Sequence, residues 1–354
     1  PVRGEEARAR RVAAEACAAD AAQTSVDGRG GGLALLQTGA AAHGVLMQVR
    51  EGPTATTTPV PAEQADAEAC AALPHFLANL GSSLGEERAA RLHNAAHGLP
   101  RHHTVYAYMS TRHILCMLDS TWMQAVDSLA GRAVIHIALD NASHAYCGSR
   151  LDWAAAGNIT LRCVDLSDWI PYVDESGPKG IEDNNVGFGT CEYLMIVWAK
   201  PVVLLQLSAV VDTLLVDSDI LLRQSREGSL IDWAEHHRKS STVLMTESEY
   251  PNWIETSPNT GAVLATDESS DLIEAWIAQA PDSRANDTGD QDGLLRLLVQ
   301  EPQMVDEVQF IPFNVLAAYA IPGQYGSHYT KVDKVATMKE RGDWKPSLRG
   351  CDDG

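Results

Sequence analysis

From His103 onward the apolar residues fall into short compact runs separated by amphipathic stretches, and that alternation sets the expected elements. Thr104 to Met109 reads as a short strand and Leu118 to Ala130 as an amphipathic helix. Ala133 to Leu139 is an unbroken apolar run of the kind found in a buried strand, and it ends at Asp140. After a short helix, Ile159 to Val164 reads as another strand. Gly189 to Val210 has helical character, with a break expected near Pro201, because proline lacks an N–H and crowds the preceding turn. It leads straight into Thr213-Leu-Leu-Val216, then Thr242 to Met245 and Gly261 to Ala265 as strands, with Asp271 to Ala280 and Gln291 to Gln300 as helices. Strands alternating with helices imply an α/β fold, its mostly parallel sheet covered on both faces. Ligands bind such sheets at the carboxyl ends of the strands, so the residues just after each apolar run are the ones to weigh.

Residues 1–100 have a different character, dominated by Ala, Gly, Thr and Glu, with Gly28 to Gly32 nearly all glycine and a Thr/Pro stretch from Pro53 to Pro61. Such composition buries little, so the expected division is a stem over residues 1–100 and a folded domain over residues 101–354. Arg3 to Ala22 and Ala62 to about His97 have helical character, and the second carries Leu73, Phe76, Leu77 and Leu80 at a helical spacing that offers an apolar face to pack on the following domain. The alternative is that both are solvated alanine-rich segments.

Composition narrows the classes. The 354 residues are 45% hydrophobic and 21% charged, which supports a sizeable core, and the formal net charge is −20. Nucleic-acid affinity rests largely on Lys and Arg neutralising phosphates, so that charge argues against nucleic acid as a partner. It leaves room for metal cations, and for small anions held by a few local bases. No apolar run approaches the ~20 residues that span a bilayer. The chain begins at Pro1 rather than Met, which leads to the expectation of a processed or truncated form with any membrane anchor in a segment before it. The seven cysteines show no CxxC or finger-like spacing, which argues against a zinc ribbon, and their odd number leaves one thiol unpaired in a monomer. Asn141-Ala-Ser143, Asn158-Ile-Thr160 and Asn286-Asp-Thr288 fit the N-glycosylation acceptor pattern and point to a secretory lumen.

The clearest chemistry lies in Leu214-Leu-Val-Asp217-Ser218-Asp219, where a buried strand runs into two carboxylates one residue apart. Such a pair presents oxygens to one hard divalent cation, with a diphosphate completing the coordination. The plain alternative has Asp217 capping a turn and Asp219 opening a helix. Downstream, Asn259-Thr-Gly261 has the composition of an ordinary turn, Asp290-Gln291 opens a helix, and Gly326-Ser-His328-Tyr-Thr-Lys331 sets an imidazole and an ammonium about one turn apart.

Taken in order, Lys200, Asp217-Ser218-Asp219, Asn259-Thr-Gly261, Asp290-Gln291 and His328…Lys331 resemble the motifs of GT-A-fold glycosyltransferases. The stretch from Trp198-Ala-Lys200-Pro to Asp219 resembles the nucleotide-diphospho-sugar transferases of plants and algae, and the order of motifs also resembles glycogenin-like retaining enzymes. The resemblance covers roughly Thr104 to Lys345. It implies a Mn²⁺ (or Mg²⁺) site formed by Asp217, Asp219 and His328. It further implies donor contacts from Lys200, from Lys331 (with Lys334 as the alternative) and from Ser218 near the ribose, with Ser110 and Thr111 beside the nucleotide. Asn259, Asp290 and Gln291 would line the sugar subsite as the catalytic residues, with Asp290 or Gln291 stabilising the oxocarbenium-like centre. The implied reaction moves a sugar from a nucleotide-diphosphate donor, a UDP-sugar, to a glycan or glycoprotein acceptor with retention, in the Golgi or secretory lumen, by a type II membrane protein. The chain departs from the pattern in lacking the aromatic-rich C-terminal signature and in having Val211-Asp212 where the plant set keeps a Gly-aromatic turn. Two other readings stand beside this one. A haloacid-dehalogenase-like phosphatase also places Asp-x-Asp after an apolar strand, but on its first strand, and it leaves Asn259 and His328 without a role. A degenerate domain that binds nucleotide or glycan without turnover is the other.

Overall fold

The structure is a computed structural model, and it describes residues 62–100, 103–170, 190–246, 258–283, 289–318, 322–330, 333–348 and 351. Expectations for Arg3 to Ala22, the glycine and Thr/Pro stretches, Asn286 and Lys331 lie outside the described residues. The described residues belong to one compact unit, Thr58–Gly354.

Its centre is a seven-stranded sheet. In chain order the strands are β1 (Val105–Ser110), β2 (Ala133–Ala138), β3 (Thr160–Asp165), β4 (Thr213–Val216), then, after the short β5 (Ile220–Leu222), β6 (Thr242–Thr246), β7 (Pro258–Ala265) and β8 (Val308–Ile311). The spatial order is β3-β2-β1-β4-β7-β6-β8. Every pairing is parallel except those of β7, which runs antiparallel to both β4 and β6. This is the mixed, mostly parallel, helix-flanked sheet that the alternating pattern implied. A second sheet has the order β5-β10-β9, from β5, β9 (Leu316–Ala317) and β10 (Gly326–His328).

Both faces of the large sheet are covered, because successive side chains of a strand point to opposite faces. Val105, Ala107 and Met109 of β1 join one apolar cluster, while Tyr106 and Tyr108 join the other. The first cluster packs against α7 (Cys191–Ser208), α9 (Ser270–Ile277) and α11 (Asp290–Gln300). The second packs against α4 (Leu115–Leu129) and α8 (Leu230–His237). The remaining helices are α1 (Ala62–Ala78), α2 (Leu80–Ser83), α3 (Gly85–Ala96), α5 (Asn141–Ser149), α6 (Leu151–Ala156), α10 (Ala280–Ser283) and α12 (Lys334–Glu340).

Three expectations change. The helix preceding β4 is not broken at Pro201 but runs through it, buried on nearly every side by α1, α3, α9 and α11, so tertiary packing overrides the cost of one lost backbone bond. This helix is long and apolar enough to cross a membrane, yet two thirds of its apolar window is buried inside the protein, as befits a core helix. Asn259-Thr-Gly261 is not a turn but part of β7, opposite a register shift between Leu244 and Met245 of β6. Residues 62–96, grouped by composition with the stem, form α1 to α3, whose Leu73, Phe76, Leu77, Leu80, Leu84 and Leu92 enter the main core. Their apolar face is the one seen in the sequence.

Six of the seven cysteines pair, as Cys70–Cys191, Cys116–Cys351 and Cys147–Cys163, and Cys17 lies outside the described residues. Disulfides in this number suit an oxidising compartment.

Candidate active site

Strand β4 lies mid-sheet, and its carboxyl end delivers Asp217 to a tight turn before β5. Three bonds shape that turn: Asp217 N donates to the Gly261 carbonyl at 2.7 Å, Ile220 N to the Asp217 carbonyl at 3.1 Å, and Ser218 Oγ to the Met109 carbonyl at 3.2 Å. Asp219 therefore opens a strand, not a helix. Ser218 fastens the turn to the end of β1 through its hydroxyl.

The small sheet brings in the distant histidine. β5 begins one residue after Asp219 and pairs antiparallel with β10, with Ile220 opposite His328. Tyr329 N then donates to the Asp219 carbonyl at 3.1 Å. As a result His328 Nε2 lies 3.2 Å from Asp219 Oδ1, and one ligand atom from each of Asp217, Asp219 and His328 lies within 4.8 Å of the others. Two carboxylates and an imidazole are a donor set that suits Mn²⁺, and the oxygens alone would suit Mg²⁺. Asp217 is the more open of the pair, its side chain 32% exposed against 8% for Asp219. His328 fits only because residue 261 is glycine: a β-carbon there would stand 2.6 Å from His328 Cε1.

Two ammonium groups balance the acids. Lys200 Nζ, from the middle of α7, lies 3.3 Å from Asp217 Oδ1, 3.3 Å from Asp290 Oδ2 and 3.4 Å from Thr260 Oγ1. Lys334 Nζ, at the start of α12, lies 2.6 Å from Asp219 Oδ2. Burial pulls the Lys200 pKa down, but Asp217 and Asp290 more than reverse this, so the ammonium stays charged. Asp219 raises the Lys334 pKa against burial. Burial works against the Asp219 carboxylate too, yet Lys334 and His328 hold it well below the usual range. For Asp217 burial prevails, joined by the Asp219 and Asp290 charges, and its pKa is raised despite Lys200.

Asp290 opens α11 and is buried in contact with Lys200; Gln291 beside it is half-buried. Asn259 is buried, its Oδ1 accepting from Gly261 N at 2.8 Å, so it shapes the strand that carries Gly261. Ser110 ends β1 with its Oγ 2.5 Å from His136 Nε2, and Thr111 follows it, buried. Lys334 stands at the acidic cluster, the place considered for either lysine, while Lys331 lies outside the described residues.

Sequence reasoning missed Tyr193. It is half-buried on α7, two turns before Lys200 and so on the same face, and the charges of Lys200, Asp290, Asp217 and Asp219 act on its phenol. The seven-residue spacing to Lys200 was the available signal.

No family model matches the chain, and no curated protein matches it by sequence. Among solved structures it is similar to the glycosyltransferase GlyE of Streptococcus pneumoniae, with 12% identity over 65% of this chain and 56% of GlyE and a TM-score of 0.44. It is similar to the galactosyltransferase LgtC, crystallised with donor and acceptor sugar analogues, with 15% identity over 67% of this chain and 93% of LgtC and a TM-score of 0.42. It is also similar to the bifunctional glycosyltransferase WbbM, with 9% identity over 69% of this chain and 44% of WbbM and a TM-score of 0.39. The chain thus spans little more than half the length of GlyE.

Proposed function

We propose that this chain is a metal-dependent glycosyltransferase that moves a sugar from a nucleotide-diphosphate donor, a UDP-sugar, to a glycan or glycoprotein acceptor. The observation that carries the reading is the convergence of Asp217, Asp219 and His328 at the carboxyl end of a central strand, flanked by two lysines. Transfer leaves negative charge on the departing diphosphate, and it needs positive charge placed in advance at that point. Asp217, Asp219 and His328 would hold Mn²⁺, which when bound supplies Lewis-acid stabilisation of the leaving group. Lys334, a third exposed, is placed to exchange Asp219 for a phosphate oxygen. Lys200, gripped by Asp217, Asp290 and Thr260, orients the carboxylates and keeps Asp290 beside Asp217. Asp290 and Gln291, at the start of α11, would face the donor sugar. Retention of configuration, the plant and algal family and a Golgi or secretory-lumen location belong to the same proposal, and the three disulfides support the location. A phosphatase would leave His328 idle, whereas here it sits on Asp219.

A donor screen tests this. With Mn²⁺ present, the protein should release UDP from one or more UDP-sugars, and chelation should stop it. Asp219→Asn keeps the size and removes the charge, so it should cut release at least ~100-fold with the fold retained. UDP release indifferent to chelator and to Asp219→Asn, or hydrolysis of p-nitrophenyl phosphate in its place, would overturn the reading.

A further inference from the structure

We propose that Arg223 and Asp343 form a clamp that aims the His328 imidazole at the Asp217/Asp219 pair; this rests on the metal-dependent reading above. β10 is three residues long, and its backbone pairing with β5 sets register but not the tilt of one side chain. Ser327 and Tyr329, on either side of His328, point to the opposite face of the strand. Both are gripped there. Arg223 Nη1 donates to Ser327 Oγ at 2.6 Å, Arg223 Nη2 donates to Asp343 Oδ2 at 3.1 Å, and the Tyr329 hydroxyl donates to Asp343 Oδ2. Asp343 is itself fixed to α4, since its carbonyl accepts from Ser120 Oγ at 3.0 Å and from Gln124 Nε2. With both neighbours held on one face, the imidazole is held on the other, where Gly261 leaves it room. The Arg223 guanidinium and the Asp343 carboxylate hold Ser327, Tyr329 and each other, and act on the cluster only through them, so Arg223 and Asp343 are positioning residues.

The test reads Mn²⁺ binding directly, from the electron paramagnetic resonance signal of free Mn²⁺. Outer partners of metal ligands typically govern affinity ~10–100-fold. Asp343→Asn and Arg223→Lys should each weaken Mn²⁺ binding about tenfold, while UDP release at saturating Mn²⁺ stays near the wild-type rate. In a His328→Ala background the same substitutions should add nothing, because the group they aim is gone. Should either variant fail to fold, Tyr329→Phe removes a single oxygen and carries the same expectation. If Asp219→Asn abolishes Mn²⁺ binding but the clamp variants bind like wild type, or weaken binding equally without His328, the clamp is wrong and the metal site stands. If Asp219→Asn leaves Mn²⁺ binding intact, the metal reading itself fails.

From a separate observation we infer that Asn158 accepts an N-linked oligosaccharide. In Asn158-Ile159-Thr160, Asn158 sits in the turn before the edge strand β3 at φ 56°, and both Asn158 and Thr160 are exposed. Ile159 between them is buried and anchors the turn. The Asn141 triplet differs: its Ser143 hydroxyl is buried and donates to Asp140 Oδ1 at 2.7 Å. In the transfer, the Asn158 amide nitrogen bonds to C1 of a lipid-diphosphate-linked oligosaccharide. The C1–O bond breaks, the lipid diphosphate departs with the electron pair, and the amide loses one proton. The chain is expressed through a eukaryotic secretory pathway, and the Asn158 peptide is mapped by mass spectrometry after glycosidase release in heavy-oxygen water. Conversion of Asn158 to labelled aspartate is expected. An unmodified Asn158 peptide in chains whose Cys147–Cys163 bond has formed, which marks passage through the lumen, overturns the assignment.

Discussion

Gly261 serves the cluster twice, through its carbonyl, which receives Asp217 N, and through its missing side chain, which leaves space for His328. An alanine β-carbon would meet His328 Cε1 at 2.6 Å and Asn259 Oδ1 at 2.8 Å, and neither group is the loose end of a flexible chain. Gly261→Ala should therefore push the imidazole away and weaken Mn²⁺ binding by about tenfold or more, as read by calorimetry, with the circular dichroism spectrum unchanged. A second residue-scale expectation concerns His136. It is fully buried on β2 against Trp122, Tyr146 and Ser110, and burial lowers its pKa to about 3 from an ordinary 6.5. The unfolded chain then takes up a proton near pH 6.5 that the folded protein refuses until about pH 3. The stability this group allows is thus complete above pH 6.5 and falls as pH drops toward 3, by up to ~1.4 kcal/mol per pH unit. Urea midpoints at pH 7 and pH 5 should differ less for His136→Gln than for the wild type. An equal difference would show that His136 does not carry this slope.

At the scale of elements, much of the fold was legible because the strands of a buried parallel sheet announce themselves. Val105–Ser110, Ala133–Ala138 and Thr213–Val216 are compact, and carboxylates follow two of them, so the aspartates after β4 stand out in the sequence. The short strands were silent. β5, β9 and β10 have three residues or fewer, too few for a periodicity, yet the pairing of β5 with β10 is what carries His328 across the chain to Asp219. Asn259-Thr-Gly261 read as a turn from residue types alone, while β7 recruits it as a strand through the pairing of Pro258 and Asn259 with Thr246 and Met245 of β6. Lys200 was visible as a base ahead of the aspartates, but its commitment to both Asp217 and Asp290 depends on α11 docking against α7. That docking rests on Gly293, where a β-carbon would lie 2.3 Å from the buried indole of Trp198. Gly293→Ala should accordingly tilt α11 away, cost ~1–3 kcal/mol by urea denaturation and lower activity through Asp290, at the helix start.

At the scale of the molecule, the folded unit begins well before residue 100. Composition placed the boundary near residue 100, because alanine-rich sequence looks the same whether a helix is solvated or packed. In the structure α1 to α3 are packed: Leu73, Phe76, Leu77, Leu80, Leu84 and Leu92 lie in the core shared with α7 and α9, and Cys70 is bonded to Cys191 at the start of α7. Removing six buried side chains of this size, at ~1.5–3 kcal/mol each, forfeits on the order of 10 kcal/mol. That is comparable to the whole stability of an ordinary domain, ~5–15 kcal/mol. Losing the Cys70–Cys191 link removes a further ~2–4 kcal/mol. It would also bare the apolar flank of α7, the helix that holds Lys200 at the cluster. A chain of residues 58–354 should therefore fold cooperatively and bind Mn²⁺ as the full chain does, because it contains the whole compact unit. A chain of residues 101–354 should be insoluble or should unfold without a cooperative transition. A soluble, cooperatively melting 101–354 chain with wild-type Mn²⁺ affinity would show that the three helices only cover the domain and do not build it.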